Sequence, residues 1–212
     1  MTKPKLDRLF FYICGAIIAA AVILAVTSSW NDSLIVDEIP HIGAGYSYLA
    51  TGDMRLNPEH PPLAKDLEAL PLVFVGLNKS VFQLKQWFLD VNGQWEFGRA
   101  LIFGSGNDAD IIRHLARLPM LLFFILSAFL ICRWALERYG DAGALIALIL
   151  FAFSPTVLAH TRFVITDIAA MFGILYGTYF FVRYLRQPTK RNMLIAALVF
   201  GVAMLTKFST FL

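Results

Sequence analysis

Long apolar runs set the first constraint on this chain. A helix needs about 20 mostly apolar residues to cross the hydrocarbon core of a bilayer. Inside that core every backbone polar group must be paired within the protein, which leaves helices or closed barrels. Residues 9–29, 118–136, 142–159, 163–182 and 193–212 meet or approach that length. Of all residues, 58% are hydrophobic and only 16% charged, against roughly 25% charged in soluble domains. The expected fold is an all-α integral membrane bundle with these five spans, forming one membrane-embedded domain over residues 1–212. Lys3, Lys5 and Arg8 precede the first run. The run is long for a signal peptide and no small-x-small cleavage site follows, so it reads as an uncleaved anchor. Cys14 and Cys132 both fall inside apolar runs, which gives neither a disulfide framework nor a metal pattern. No basic nucleic-acid patch is present, so nucleic acid is excluded as a partner.

The basic residues orient the spans. Lys3, Lys5 and Arg8 precede the first, Arg133 and Arg138 end the second, and Arg183, Arg186, Lys190 and Arg191 join the fourth to the fifth. With five alternating spans these clusters share one side, which the positive-inside rule makes cytoplasmic, N-terminus included. All 15 acidic residues except Asp7, Glu137 and Asp141 then face outward. Residues 31–117 form a long extracytoplasmic loop, and the short link around His160 and Arg162, with Asp167 beyond it, meets the same membrane face. Ionisable groups held against a bilayer are functional candidates.

A loop of this length should carry structure of its own. Asp37-Glu38-Ile39-Pro40 looks like a helix start, an N-cap acid with Pro in the first turn. Asp37, His41, Gly45 and Tyr48 then share roughly one helix face, and Gly52-Asp53 ends the helix. A second helix is expected from Pro61-Pro62 through residues 63–77, with Leu63, Leu67, Leu70 and Phe74 on one side. Both read as amphipathic helices on the membrane surface. After the turn-rich residues 104–108, a third helix bearing Asp110, Arg113, His114 and Arg117 leads into the second span.

Several of these features occur in an order that resembles a known family. Asp37-Glu38 follows the first span, and His60-Pro61-Pro62-Leu63-Ala64-Lys65 lies downstream. Trp95-Glu96-Phe97-Gly98-Arg99 leads toward Arg117, and Phe153-Ser154-Pro155-Thr156 leads through His160 and Arg162 to Asp167. The series resembles the GT-C superfamily of polyprenyl-phosphate-sugar glycosyltransferases, closest to the protein O-mannosyltransferases. Bacterial aminoarabinose transferases share the layout, with an acid before Pro-Pro, here Glu59. Ala64 stands where the mannosyltransferase motif has Gly. The resemblance implies a hexosyl or pentosyl transferase and a chain that is the N-terminal part of a longer enzyme. It implies a polyprenyl-phosphate sugar donor, a protein or glycolipid acceptor, and contact with membrane lipids. The layout and compact loops fit the plasma membrane of a prokaryote, with the site on its extracytoplasmic face.

Such a transfer needs a carboxylate to take the acceptor's proton and cations or a metal to stabilise the departing phosphate. The resemblance gives Asp37 the first role; helix capping is the alternative. Glu38 supports it or complements the helix dipole. Lys65 and Arg162 are candidates for the donor phosphate, although Lys65 can equally snorkel. Glu59 and His60, with His41 nearby, either bind a divalent metal or support the base, and their spacing matches no strong metal pattern. Asp167, about one turn inside the fourth span, needs a partner. Arg162 offers one; an acceptor or a metal offers another. Lys207 faces the site or snorkels. Trp87 and Trp95 fit an interfacial belt. A flippase for lipid-linked sugars is the rival reading, but it predicts broken helices and polar groups at mid-bilayer, whereas the charges here sit at the rims. An inactive remnant of the same fold is a further alternative.

Overall fold

The computed structural model describes residues 8–89 and 93–211. Lys3, Lys5, Asp7 and the last residue of the fifth expected span lie outside the described residues. The described residues fold into helices and turns without a strand. Helix α1 (Arg8–Ser29) is followed by α2 (Glu38–Thr51), α3 (Pro62–Ala69), α4 (Lys85–Phe88) and α5 (Gln94–Arg99). Then come α6 (Ala109–Ala152), α7 (Pro155–Thr161), α8 (Thr166–Arg186) and α9 (Lys190–Met204). Helices α1, α6 and α8 are long and apolar enough to cross a membrane.

Helix α6 is two arms folded back on each other. Gly140 interrupts it with φ 70° and ψ −171°, a conformation open to glycine because it has no Cβ. Ala128, Cys132 and Ala135 of the first arm pack against Ala144 and Leu148 of the second, and Phe10 and Cys14 of α1 close the cluster. Further along, Phe124 stacks on Phe151 with ring centroids 5.6 Å apart. The second and third expected spans are therefore these arms, 109–139 and 141–152. The second arm stops short of residue 159 because Pro155 holds Ser154 extended (φ −62°, ψ 124°) and starts α7.

The last two spans also differ from expectation at their ends. Helix α8 begins at Thr166 rather than residue 163, because Val164 N donates to the Glu38 carboxylate instead of to a helix. Helix α9 has 15 residues and gives way to a 3₁₀ turn at Phe208–Phe211. The hydroxyls of Thr206 and Thr210 both donate to Ala203 O, offering the backbone an alternative to helix.

The segment between α1 and α6 builds a core from Ile42, Tyr46, Leu56, Leu72 and Phe97, closed by Ile112 of α6. Trp87 lies in this core, 8% exposed, with the Arg55 guanidinium 4.6 Å above its ring. It is not a belt residue; Trp95 is half-buried. Helix α2 is wedged tightly between its neighbours. A Cβ at Gly45 would strike the Lys65 carbonyl, and one at Gly98 the Ile39 carbonyl.

Helix α3 is shorter than expected and turned over. It becomes a 3₁₀ helix at Leu70–Phe74, because Pro71 has no N–H to give and its ring crowds the preceding turn. The face carrying Ala64, Lys65, Glu68 and Ala69 is buried. Leu70 and Phe74 are 46% and 83% exposed, so part of the apolar stripe faces outward and the charged face lies inside.

Candidate functional site

One end of the bundle gathers the start of α2, the loop before α3, the start of α6, the α7–α8 link and the residues after α9. A buried ion pair ties them together. Arg117 on α6 grips Glu38 with Nε and Nη2, both at 2.8 Å from a carboxylate oxygen. The same carboxylate accepts from Val164 N at 3.0 Å and Ile35 N at 2.9 Å. Arg117 also donates to the carbonyls of Ser29, Asp32 and Ser33. Glu38 is fully buried and both its oxygens are engaged, so it fastens α2 to α6 and to the entrance of α8.

Asp37, the residue before it, is exposed. Its backbone is already helical (φ −69°, ψ −23°) and its side chain makes no cap hydrogen bond. The capping alternative therefore finds no support in the geometry.

Lys65 is fully buried. Its ammonium donates to Asn57 O and His60 O at 2.7 Å, to Tyr48 Oη at 2.8 Å and to Asn57 Oδ1 at 3.1 Å. Tyr48 in turn donates to Leu56 O. Burial brings the Lys65 amine down to about 8, with Glu68, Glu59 and Asp66 opposing. With acceptors on all sides, Lys65 pins the loop carrying Glu59 and His60 to α2 and α3 and does not face an open site.

The loop it pins reaches the second cation. Asp167 pairs with Lys207, Nζ to Oδ1 3.0 Å. Arg162, one of the partners expected from sequence, pairs instead with Asp32 at 3.4 Å. Its Nη1 lies 3.4 Å from Ser28 O and its guanidinium 4.8 Å from the Phe163 ring centroid. The start of α3 is fixed beside Lys207 by Leu63 N donating to Leu205 O at 3.2 Å. His60 and His41 face each other with ring centroids 5.2 Å apart. Burial lowers the His60 imidazole, as do the charges of Lys207 and Lys65, while Glu59 and Asp167 oppose. Burial, then His60 and Lys65, hold His41 down at about 3. Burial alone would raise Glu59, but the hydrogen bond from Gln94, at 2.7 Å, and the neighbouring His60 and Lys65 leave it lowered. His41, Glu59, His60, Asp167 and Lys207 thus converge on one rim, and Asp37 stands at the same end through its neighbour Glu38.

From that rim an open groove of about 540 Å³ runs along α8, lined by Ala170, Met171, Ile174, Leu175 and Thr178 below Asp167 and Lys207. Its walls are mostly apolar and its head is charged. Among the described residues no group of three or more His, Cys, Asp or Glu side chains is placed to hold a metal ion. Glu59 and His60 therefore do not complete a protein ligand set.

The Lys207–Asp167 pair escaped sequence reading because its members lie 40 positions apart; the lone Lys in the last apolar run was the available signal. The Glu38–Arg117 pair, 79 positions apart, left none.

An all-helical membrane bundle with a charged rim above an apolar groove has the layout of a GT-C membrane glycosyltransferase. Residues 101–212 match the dolichyl-phosphate-mannose-protein mannosyltransferase family; the match covers more than half of the chain, and the chain belongs to this family. No curated protein and no solved structure matches it. The matched part includes Arg117, Arg162, Asp167 and Lys207, whereas Asp37, Glu59, His60 and Lys65 precede it.

Proposed function

We propose that this chain carries the donor and base elements of an enzyme that moves a sugar from a polyprenyl phosphate to a hydroxyl of a protein or glycolipid. The observation that carries this reading is the groove along α8 headed by Asp167 and Lys207. An isoprenoid chain fits the apolar walls, and its phosphate meets the Lys207 ammonium at the head. Arg162 is a second cation at the same end.

The acceptor oxygen attacks the anomeric carbon, the bond from that carbon to the phosphate oxygen breaks, and polyprenyl phosphate leaves with the electron pair. The acceptor's proton passes to Asp37, whose carboxylate is exposed and makes no hydrogen bond or ion pair among the described residues. Asp167 positions Lys207, which balances the charge that develops on the phosphate. Lys65 acts at one remove by fixing the Glu59–His60 loop. A divalent ion, were one bound, would be held by Glu59 and His60 and would add positive charge beside the leaving phosphate; no step above depends on it. The basic residues Arg133, Arg138, Arg183, Arg186 and Lys190 lie at the opposite end of the long helices, which supports an extracytoplasmic site by the positive-inside rule.

The test is transfer of labelled sugar from polyprenyl-phosphate donors by the full-length protein in membranes. Asp37→Asn should lower the rate by about 10²–10⁴-fold and Lys207→Met by about 10²–10³-fold. Wild-type rates in Asp37→Asn would remove the base assignment. Absence of transfer by the wild type from every polyprenyl-phosphate sugar offered would remove the reading.

A further inference from the structure

We propose that the end of the bundle opposite the candidate site holds a binding site for an anionic phosphate ester. Arg133 and Glu137 of α6 and Tyr179, Arg183 and Arg186 of α8 surround a cleft of about 260 Å³. Tyr179 lies 12 positions beyond Asp167 on α8, which places this cleft about 18 Å from the rim along the helix. Trp134 lines both this cleft and the far end of the proposed donor groove, while none of the cleft's charged residues lines that groove.

Three guanidinium groups here face one carboxylate, and that carboxylate is already committed. Glu137 accepts from Arg133 Nε at 3.2 Å and from the Tyr179 hydroxyl at 3.0 Å, so Arg133 is held in place at the edge of the cleft. Trp134 packs edge-on against Tyr179 with centroids 5.4 Å apart and stiffens the wall. Arg183 and Arg186 form no ion pair among the described residues. Arginines in the last turn of α8 do complement the negative end of the helix dipole. That role needs only charge near the helix end; it does not require a third arginine fixed across a polar cleft by a second helix. Planar guanidinium forks suit phosphate oxygens. The cleft opens where the apolar stretch of α8 ends, at the level of lipid headgroups, so the ligand is either an anionic phospholipid headgroup or a free phosphate ester.

The test is a lipid titration of the full chain in detergent, read by native mass spectrometry. Phosphatidylglycerol should bind about 30-fold more tightly than phosphatidylcholine, the usual contribution of two basic residues at an anionic lipid surface. Arg183→Gln with Arg186→Gln should abolish that preference, and Glu137→Gln, which removes the one carboxylate, should strengthen it several-fold. Competition by millimolar inorganic phosphate would support a free phosphate ester as ligand. Loss of preference in the arginine variant without such competition would support the lipid headgroup. Equal binding of the two lipids without phosphate competition, or a preference that survives the arginine substitutions, would overturn the proposal. If the arginine variant does not fold, an unchanged preference in Glu137→Gln overturns it instead.

Discussion

Glu38 and Asp37 are neighbours with opposite fates. Glu38 is sealed against Arg117 while Asp37 stays exposed, so one carboxylate holds the frame at this end of the bundle and the other is left in the open, as the proposed base requires. Removing one member of a buried pair strands the other charge, which costs about 3–5 kcal/mol. Glu38→Gln and Arg117→Met should therefore each lower the melting temperature in detergent sharply. Replacing both with apolar residues should be milder than either single change. Equal or smaller losses in the single variants would mean that the pair is solvated. Glu68 makes a different prediction. It is fully buried with neither oxygen bonded, and burial raises it from 4.5 to about 8. Below pH 4.5 the carboxyl is neutral folded or unfolded, and this contribution to stability is complete. As pH rises toward 8, the unfolded chain releases a proton that the folded chain keeps, so stability falls. His41, held down at about 3, has the opposite sign but acts below its ordinary value of 6.5. Lys65, brought down to about 8, adds a rise of stability with pH from about pH 7 upward. Between pH 6.5 and 8 the melting temperature of the wild type should therefore fall relative to that of Glu68→Gln. Parallel profiles of the two proteins would place Glu68 in contact with water.

At the scale of elements, periodicity revealed the spans but not what buries them. The apolar runs marked α1, both arms of α6 and α8, because bilayer crossing is written locally in the sequence. The ends moved where tertiary contacts claimed backbone groups, as Glu38 does at Val164, or where Pro71 and Pro155 broke the helix. Helix α3 reads as apolar on one side, and periodicity alone cannot say that Lys65 and Glu68 turn inward; that depends on Tyr48, Asn57 and His60, brought in from elsewhere. The candidate site was legible as a set of residues at one membrane face, but its pairings were not. Arg162 looked like the partner of Asp167 because it is near in sequence, yet Lys207 arrives from the end of α9. The packing of α1 on α6 is testable directly. Cys14 and Cys132 are free thiols with sulfurs 3.4 Å apart. Copper–phenanthroline oxidation of membranes should join them within one chain. After proteolysis in the segment between α1 and α6, the fragments should stay together until a reductant is added. Fragments that separate without reductant would show that the two helices do not meet at this register.

For the molecule as a whole, function depends on which side of the membrane the rim faces. Under the proposed function, a donor anchored by its isoprenoid chain reaches Lys207 only from the leaflet at that end of the bundle. The opposite end carries Arg133, Arg138, Arg183, Arg186, Lys190 and Arg191 against Glu137 and Asp141, an excess of basic residues in short connections. Positive charge near span ends stays cytoplasmic during insertion, so the rim and the segment between α1 and α6 should face outward. Ser80 is exposed in that segment and Pro188 is exposed between α8 and α9, which makes them reporters for the two sides. In a chain without Cys14 and Cys132, Ser80→Cys should react with a membrane-impermeant maleimide on intact cells. Pro188→Cys should react only after the membrane is opened. The reverse pattern would put the groove's charged head on the cytoplasmic leaflet, and the acceptor would then have to be a cytoplasmic hydroxyl. Labelling of both thiols on intact cells would mean that α8 does not span, and the groove would lose the lipid surroundings that its apolar walls require.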